Sequence, residues 1–156
     1  MVKLDDIAMQ RFLRDGYLIL NPGFSDEFNE TVRTKIDGVL EKYNNPGNNL
    51  LPHIPEIPDI FDHPTVHGAM SSILGDDYYL HLHRHMHGNT PGSEGQRMHK
   101  DSLNNSRFAV DENRRHHHTR WAMAFYYPQD TPVEIGPTGI IPQSQYLNTR
   151  RQLDGE

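Results

Sequence analysis

The stretch from Tyr78 to His87 constrains the fold most strongly, because its residues alternate in character with a period of two. Successive side chains of a β-strand point to opposite faces, so this pattern predicts a strand. One face carries Leu80, Leu82, Arg84 and Met86, and the other carries Tyr79, His81, His83, His85 and His87. The histidines form a His-x-His site for zinc or nickel or, since imidazoles in a row do not all reach one ion, they form the polar wall of a half-buried pocket.

The first half of the chain carries helix signals, namely a capping residue, an apolar stripe and a terminating glycine or asparagine. They predict three helices, from Asp5 or Asp6 to Gly16, from Ser25 to Asn44 and from Pro64 to Gly75. The stripe of the second helix is Phe28, Val32, Ile36, Leu40 and Tyr43. Closely spaced prolines predict an extended, irregular connector over residues 48–63.

Apolar, β-prone runs at residues 17–20, 121–127 and 139–141 predict further short strands. With helices confined to the N-terminal part and strands in the rest, we predict a single α+β domain that is mainly β.

Composition narrows the functional classes. The chain has no cysteine, which excludes disulfides and thiolate metal sites. No apolar run reaches the roughly 18 residues of a membrane span, so we expect a soluble, cytoplasmic protein without a membrane partner. A net charge of −6 argues against a nucleic-acid partner.

The charge is unevenly distributed along the chain. Between Arg97 and Trp121, six basic residues accompany three acidic ones, which gives a local charge of +3. Such an excess attracts anionic small molecules. The long loop from Ser102 to Arg120 has little periodicity, as is typical of binding loops, so we expect a small molecule to be recognised there; a solvated loop with ordinary charges is the alternative.

His99 and Asp101 are the candidate metal ligands. On a strand, side chains two positions apart share a face and are separated by roughly 6.6 Å along the backbone, so these two would converge. An imidazole and a carboxylate are two of the three protein ligands in the 2-His-1-carboxylate triad of non-haem Fe(II) oxygenases.

Several motifs occur in a fixed order. They are Phe12-x3-Gly16-Tyr17, Leu74-Gly75, His99-x-Asp101, Tyr126-Tyr127-Pro128-Gln129-Asp130-Thr131 and Gly136-Pro137-Thr138-Gly139-Ile140-Ile141-Pro142-x-Ser144-Gln145. In this order and spacing, the chain from about Phe12 to Asn148 resembles the phytanoyl-CoA dioxygenase family.

The resemblance implies a double-stranded β-helix (a jelly-roll or cupin-like fold) for the domain, with residues 1–76 as a helical lead-in and 77–156 as part of the β core. It implies an enzyme that uses Fe(II) and 2-oxoglutarate to hydroxylate a small molecule. His99 and Asp101 match the first histidine and the carboxylate of the family's iron triad, as catalytic metal ligands. Trp121 matches a position beside the 2-oxoglutarate pocket, and a core aromatic is the alternative interpretation.

The chain departs from the family pattern at two points. No histidine follows His118, so the third iron ligand is absent, and Arg150 and Arg151 come too early for the arginine that binds 2-oxoglutarate. Gln143 stands where the family has glycine, and a positive φ there would strain glutamine. We expect the N-terminal portion of a longer dioxygenase, or a shortened relative, with weak or absent turnover. The alternative is a non-catalytic jelly-roll fragment that binds an anion or a metal and dimerises through its open sheet edge.

Overall fold

The structure is a computed structural model that describes residues 1–44, 46–81, 85–86, 88, 92, 94–99, 119 and 121–146. Its described part contains four α-helices: α1 (Asp6–Asp15), α2 (Asp26–Tyr43), α3 (Ile57–Phe61) and α4 (Pro64–Leu74). Two short 3₁₀ turns follow at Val133–Ile135 and Ser144–Tyr146. None of the helices among these residues is long and apolar enough to cross a membrane.

The three predicted helices are confirmed, together with the residues that begin them. Asp5 Oδ1 accepts a hydrogen bond from the Ala8 amide at 2.7 Å, and Ser25 Oγ accepts one from the Phe28 amide at 3.1 Å. Each cap satisfies an amide that has no partner inside its helix, which is why short polar residues mark these starts in the sequence.

The core lies around α2. Val32 and Val39 from α2 are buried with Leu50, Ile54 and Met86. Partly buried side chains that pack against this cluster are Phe28, Ile36, Leu40, Ile57 and Tyr126. The predicted stripe of α2 is therefore confirmed except at its end, where Tyr43 is exposed and packs on the His53 ring at 4.7 Å.

The proline-rich connector departs from its predicted extended form. Leu50 O accepts hydrogen bonds from the amides of His53 and Ile54 at 2.9 and 3.0 Å, and the chain then enters α3. Pro58 lies in the first turn of α3, where a missing amide costs nothing. The connector thus bends inward and buries Ile54, which is 0% exposed. An ion pair between Lys35 and Glu56 joins it to α2.

The predicted mainly β jelly-roll is wrong for the part of the chain that the structure describes, because those residues contain no strand and no sheet. The runs at 17–20, 121–127 and 139–141 join no ladder of backbone hydrogen bonds. Ile19, in the first of these runs, is 89% exposed. Alternation in one segment reports only where its own side chains point, whereas a strand exists only when a second segment supplies its backbone partners.

The N-terminal segment packs on α4. The Val2 amide donates to Pro64 O and the Leu4 amide donates to Ser72 Oγ, both at 2.9 Å. A Cβ placed on Gly68 would lie 1.9 Å from Val2 O, so only glycine allows this approach. This contact explains why Gly68 is buried, which the sequence did not predict.

Candidate active site

His99, the first residue of the predicted ligand pair, is the last residue of an exposed segment, residues 94–99. Its Nδ1 lies 2.7 Å from Arg97 O. A carbonyl can only accept, so Nδ1 donates this hydrogen bond, and Nε2 is the ring nitrogen with which His99 would bind a metal ion. This hydrogen bond to a backbone carbonyl is the usual partner of a metal-ligating histidine, because it fixes both the tautomer and the ring orientation.

Asp101 lies outside the described residues, as do Lys100 and, apart from Thr119, the basic loop that was predicted to bind a small molecule. Within the described ranges, no three His, Asp or Glu side chains converge in a way that would hold a metal ion. An imidazole that presents Nε2, followed two positions later by a carboxylate, nevertheless has the donor chemistry that Fe(II) requires. The pairing of His99 with Asp101 stays a prediction.

Two of the four histidines of the alternative His-x-His site lie among the described residues. His81 meets Trp121 edge to face, with 4.6 Å between ring centroids, and His85 is exposed beside the buried Met86. His83 and His87 lie outside the described residues. Trp121 is half-buried, and its predicted place beside a 2-oxoglutarate pocket stays a prediction.

A second motif of the family resemblance, Gly136–Pro142, lies near the residue that precedes His99. A Cβ placed on Gly139 would lie 3.6 Å from Met98 Sδ, so the side chain preceding His99 is a spatial neighbour of the Gly136–Pro142 motif. The same segment then contacts the end of α1, where Gln145 Nε2 donates to Leu13 O at 3.0 Å. Local sequence patterns do not predict contacts of this kind, because Gln145 and Leu13 are 132 positions apart in the chain.

A polar cleft of about 540 Å³ lies between the start of α2 and the Tyr127–Thr131 segment. It is lined by Asp26, Asn29, Glu30, Tyr127, Pro128, Gln129, Asp130 and Thr131. Three of its described lining residues are carboxylates, and none of the described lining residues is basic. Because like charges repel, this described lining does not favour the dicarboxylate 2-oxoglutarate.

Tyr126 joins the segment on one side of this cleft to α2. Its hydroxyl donates to Asn29 Oδ1 at 2.5 Å, and its ring meets Phe24 edge to face at 5.8 Å between centroids. Burial raises the pKa of Tyr126. The folded chain therefore holds this proton more tightly than the unfolded chain, in which the pKa is about 10.

This proton makes stability sensitive to alkaline pH. The contribution is complete below about pH 10 and is lost as pH rises through the raised pKa of Tyr126. In urea unfolding followed by circular dichroism, we expect Tyr126→Phe to flatten the fall in unfolding free energy above about pH 10. At neutral pH, the same change should cost about 1 kcal/mol through the lost hydrogen bond to Asn29. Tyr127→Phe, at an exposed neighbour, is the control, and equal flattening in both variants would contradict the prediction.

Comparison with known families agrees with the motifs. The family model described as phytanoyl-CoA dioxygenase matches residues 8–155, which is nearly the whole chain. No curated protein and no solved structure matches at a significant level. The match extends from α1 through the His99 segment to the residues that contact the end of α1. The chain therefore belongs to the phytanoyl-CoA dioxygenase family.

Proposed function

We propose that this chain is an Fe(II)- and 2-oxoglutarate-dependent oxygenase that hydroxylates a small molecule, with His99 and Asp101 as two of the iron ligands. The family match supports an oxygenase in general. The observation that carries the assignment to His99 is the 2.7 Å contact from its Nδ1 to Arg97 O.

Each proposed site residue has a separate role. Arg97 O orients the imidazole so that Nε2 can bind the metal ion, and Asp101 supplies the carboxylate oxygen of the ligand set. Fe(II) with 2-oxoglutarate would supply the oxidising power for inserting oxygen into a C–H bond. The basic residues of the Ser102–Arg120 loop attract the carboxylates of the cosubstrate or an anionic group of the substrate. Trp121 would form part of the wall of the 2-oxoglutarate pocket.

Metal titration tests the proposal. We expect anaerobic Fe(II) binding, measured by calorimetry, to strengthen in the presence of 2-oxoglutarate. His99→Ala and Asp101→Ala should each lower the Fe(II) affinity at least tenfold, because each removes a direct ligand. His85→Ala is the matched control, since it removes an exposed histidine that the proposal does not use.

The outcomes separate the alternatives. Binding that survives His99→Ala but falls with His83→Ala and His85→Ala would overturn the proposal in favour of the histidine-rich site. If 2-oxoglutarate does not change the Fe(II) affinity, the cosubstrate assignment is wrong.

A further inference from the structure

The last turn of α1 is capped by residues from the far end of the described chain. The final four carbonyls of a helix have no partner within it. Here all four accept hydrogen bonds: Phe12 O from the Gly16 amide at 2.8 Å, Asp15 O from the Gln143 amide at 2.9 Å, and Leu13 O and Arg14 O from Gln145 Nε2 at 3.0 and 3.1 Å. We name the contacts of Gln143 and Gln145 with α1 the α1 clasp.

The chain between the clasp and the candidate site is short and tightly turned. Gln143 has a φ of 66°, in the left-handed region, and the Ser144 amide donates to Ile141 O at 3.3 Å. Gly139 lies six positions before Gln145. A Cβ placed on Gly139 would lie 3.6 Å from Sδ of Met98, the residue directly before His99, so Gly139 and Met98 are spatial neighbours.

We propose that Gln145 is a positioning residue for His99. By donating to the Leu13 and Arg14 carbonyls, its side chain holds the 139–145 segment at the end of α1, and this placement sets Gly139 beside Met98, the residue directly before His99. The inference rests on the proposed function, since it concerns His99 as a metal ligand.

The chemistry of the clasp supplies a near-isosteric test. Glutamate is almost the size of glutamine, but its carboxylate cannot donate to carbonyls and is repelled by the negative end of the α1 dipole. Gln145→Glu should therefore open the clasp without removing bulk. Asp5→Ala is the matched control, because it removes the cap at the other end of the same helix and costs about 1 kcal/mol of stability without touching the clasp.

The first readout is Co(II) affinity, measured by visible absorption on the full chain. Substituting a residue that hydrogen-bonds to a metal ligand typically lowers the metal affinity 10- to 100-fold. Gln145 acts on His99 only through intervening residues, so we expect Gln145→Glu to weaken Co(II) binding about three- to tenfold. Asp5→Ala should leave the affinity within about twofold of wild type. Met98→Ala should weaken binding like Gln145→Glu, and the double variant should be no weaker than either single one, since both interrupt the same contacts.

The second readout needs no metal. Long-range proton–nitrogen correlation spectra report the tautomer of His99, which the 2.7 Å contact with Arg97 O fixes as protonated on Nδ1. We expect Gln145→Glu to perturb the His99 ring signals and Asp5→Ala to leave them in place.

Failure of this inference differs from failure of the proposed function. If His99→Ala abolishes Co(II) binding but Gln145→Glu leaves both affinity and ring signals unchanged, the positioning role is wrong and the metal site stands. Equal losses in Gln145→Glu and Asp5→Ala would also overturn the positioning role, because general destabilisation would then explain them. If His99→Ala leaves Co(II) binding unchanged, both proposals are wrong.

Discussion

Replacing Ile54 by alanine is expected to lower the free energy of unfolding by about 2 to 5 kcal/mol. Ile54 is 0% exposed and belongs to a core cluster with Val32 and Leu50. Its truncation removes buried methyl groups and leaves a cavity that the surrounding side chains fill only in part. Since a domain of this size is stable by about 5 to 15 kcal/mol in total, the loss takes a large share of it.

Urea unfolding followed by circular dichroism measures the effect as a shift of the midpoint at constant slope. Ile19→Ala is the control, because Ile19 is an isoleucine of the same size that is 89% exposed. It should change the unfolding free energy by less than about 0.5 kcal/mol. Similar losses in the two variants would show that the connector does not enter the core.

Gly16→Ala is expected to lower the free energy of unfolding by about 2 to 4 kcal/mol, of which about 1 kcal/mol is left-handed backbone strain and the rest is the loss of the two Gln145 hydrogen bonds, worth about 0.5 to 1.5 kcal/mol each. Gly16 has a φ of +84°, and a Cβ there would lie 2.5 Å from Gln145 Oε1. The added methyl group therefore strains the backbone and pushes the Gln145 side chain away from α1.

Gly23 provides a matched control for Gly16→Ala. Its φ is +76°, but a Cβ there would meet nothing within 4 Å, so Gly23→Ala should cost only the backbone strain of about 1 kcal/mol. In a Gln145→Ala background, the cost of Gly16→Ala should fall to the same value, because the clash is gone. The clasp would be contradicted if Gly16→Ala and Gly23→Ala destabilised the wild-type chain equally.

The helices could be predicted from the sequence because their signals are local. Asp5 and Ser25 accept hydrogen bonds from amides three residues ahead, and Pro64 occupies the first turn of α4. The family resemblance also anticipated a backbone detail. Gln143 stands where the family has glycine, and it has the positive φ of 66° that glycine would adopt without strain.

The strand predictions failed where they required a distant partner. Residues 121–127 have strand-like composition, yet Phe125 and Tyr127 are exposed while Tyr126 turns inward to Asn29. Side-chain alternation reflects one segment, whereas a sheet depends on backbone pairing between segments that are separate in sequence. The His99 assignment rests on sequence pattern and family, and the structure adds the orientation of its ring.

The sequence by itself determined the caps of α1 and α2, the boundaries of α1, α2 and α4, the apolar stripe of α2 and the candidate ligand motif, because each of these depends on residues within a few positions of one another. Tertiary structure alone decided that the proline-rich connector buries Ile54, that Gly68 admits the N-terminal segment, and that Gln145 caps α1 from 132 residues away. These contacts form because buried apolar groups and helix-end carbonyls need partners, and only the folded chain determines which distant residue supplies them.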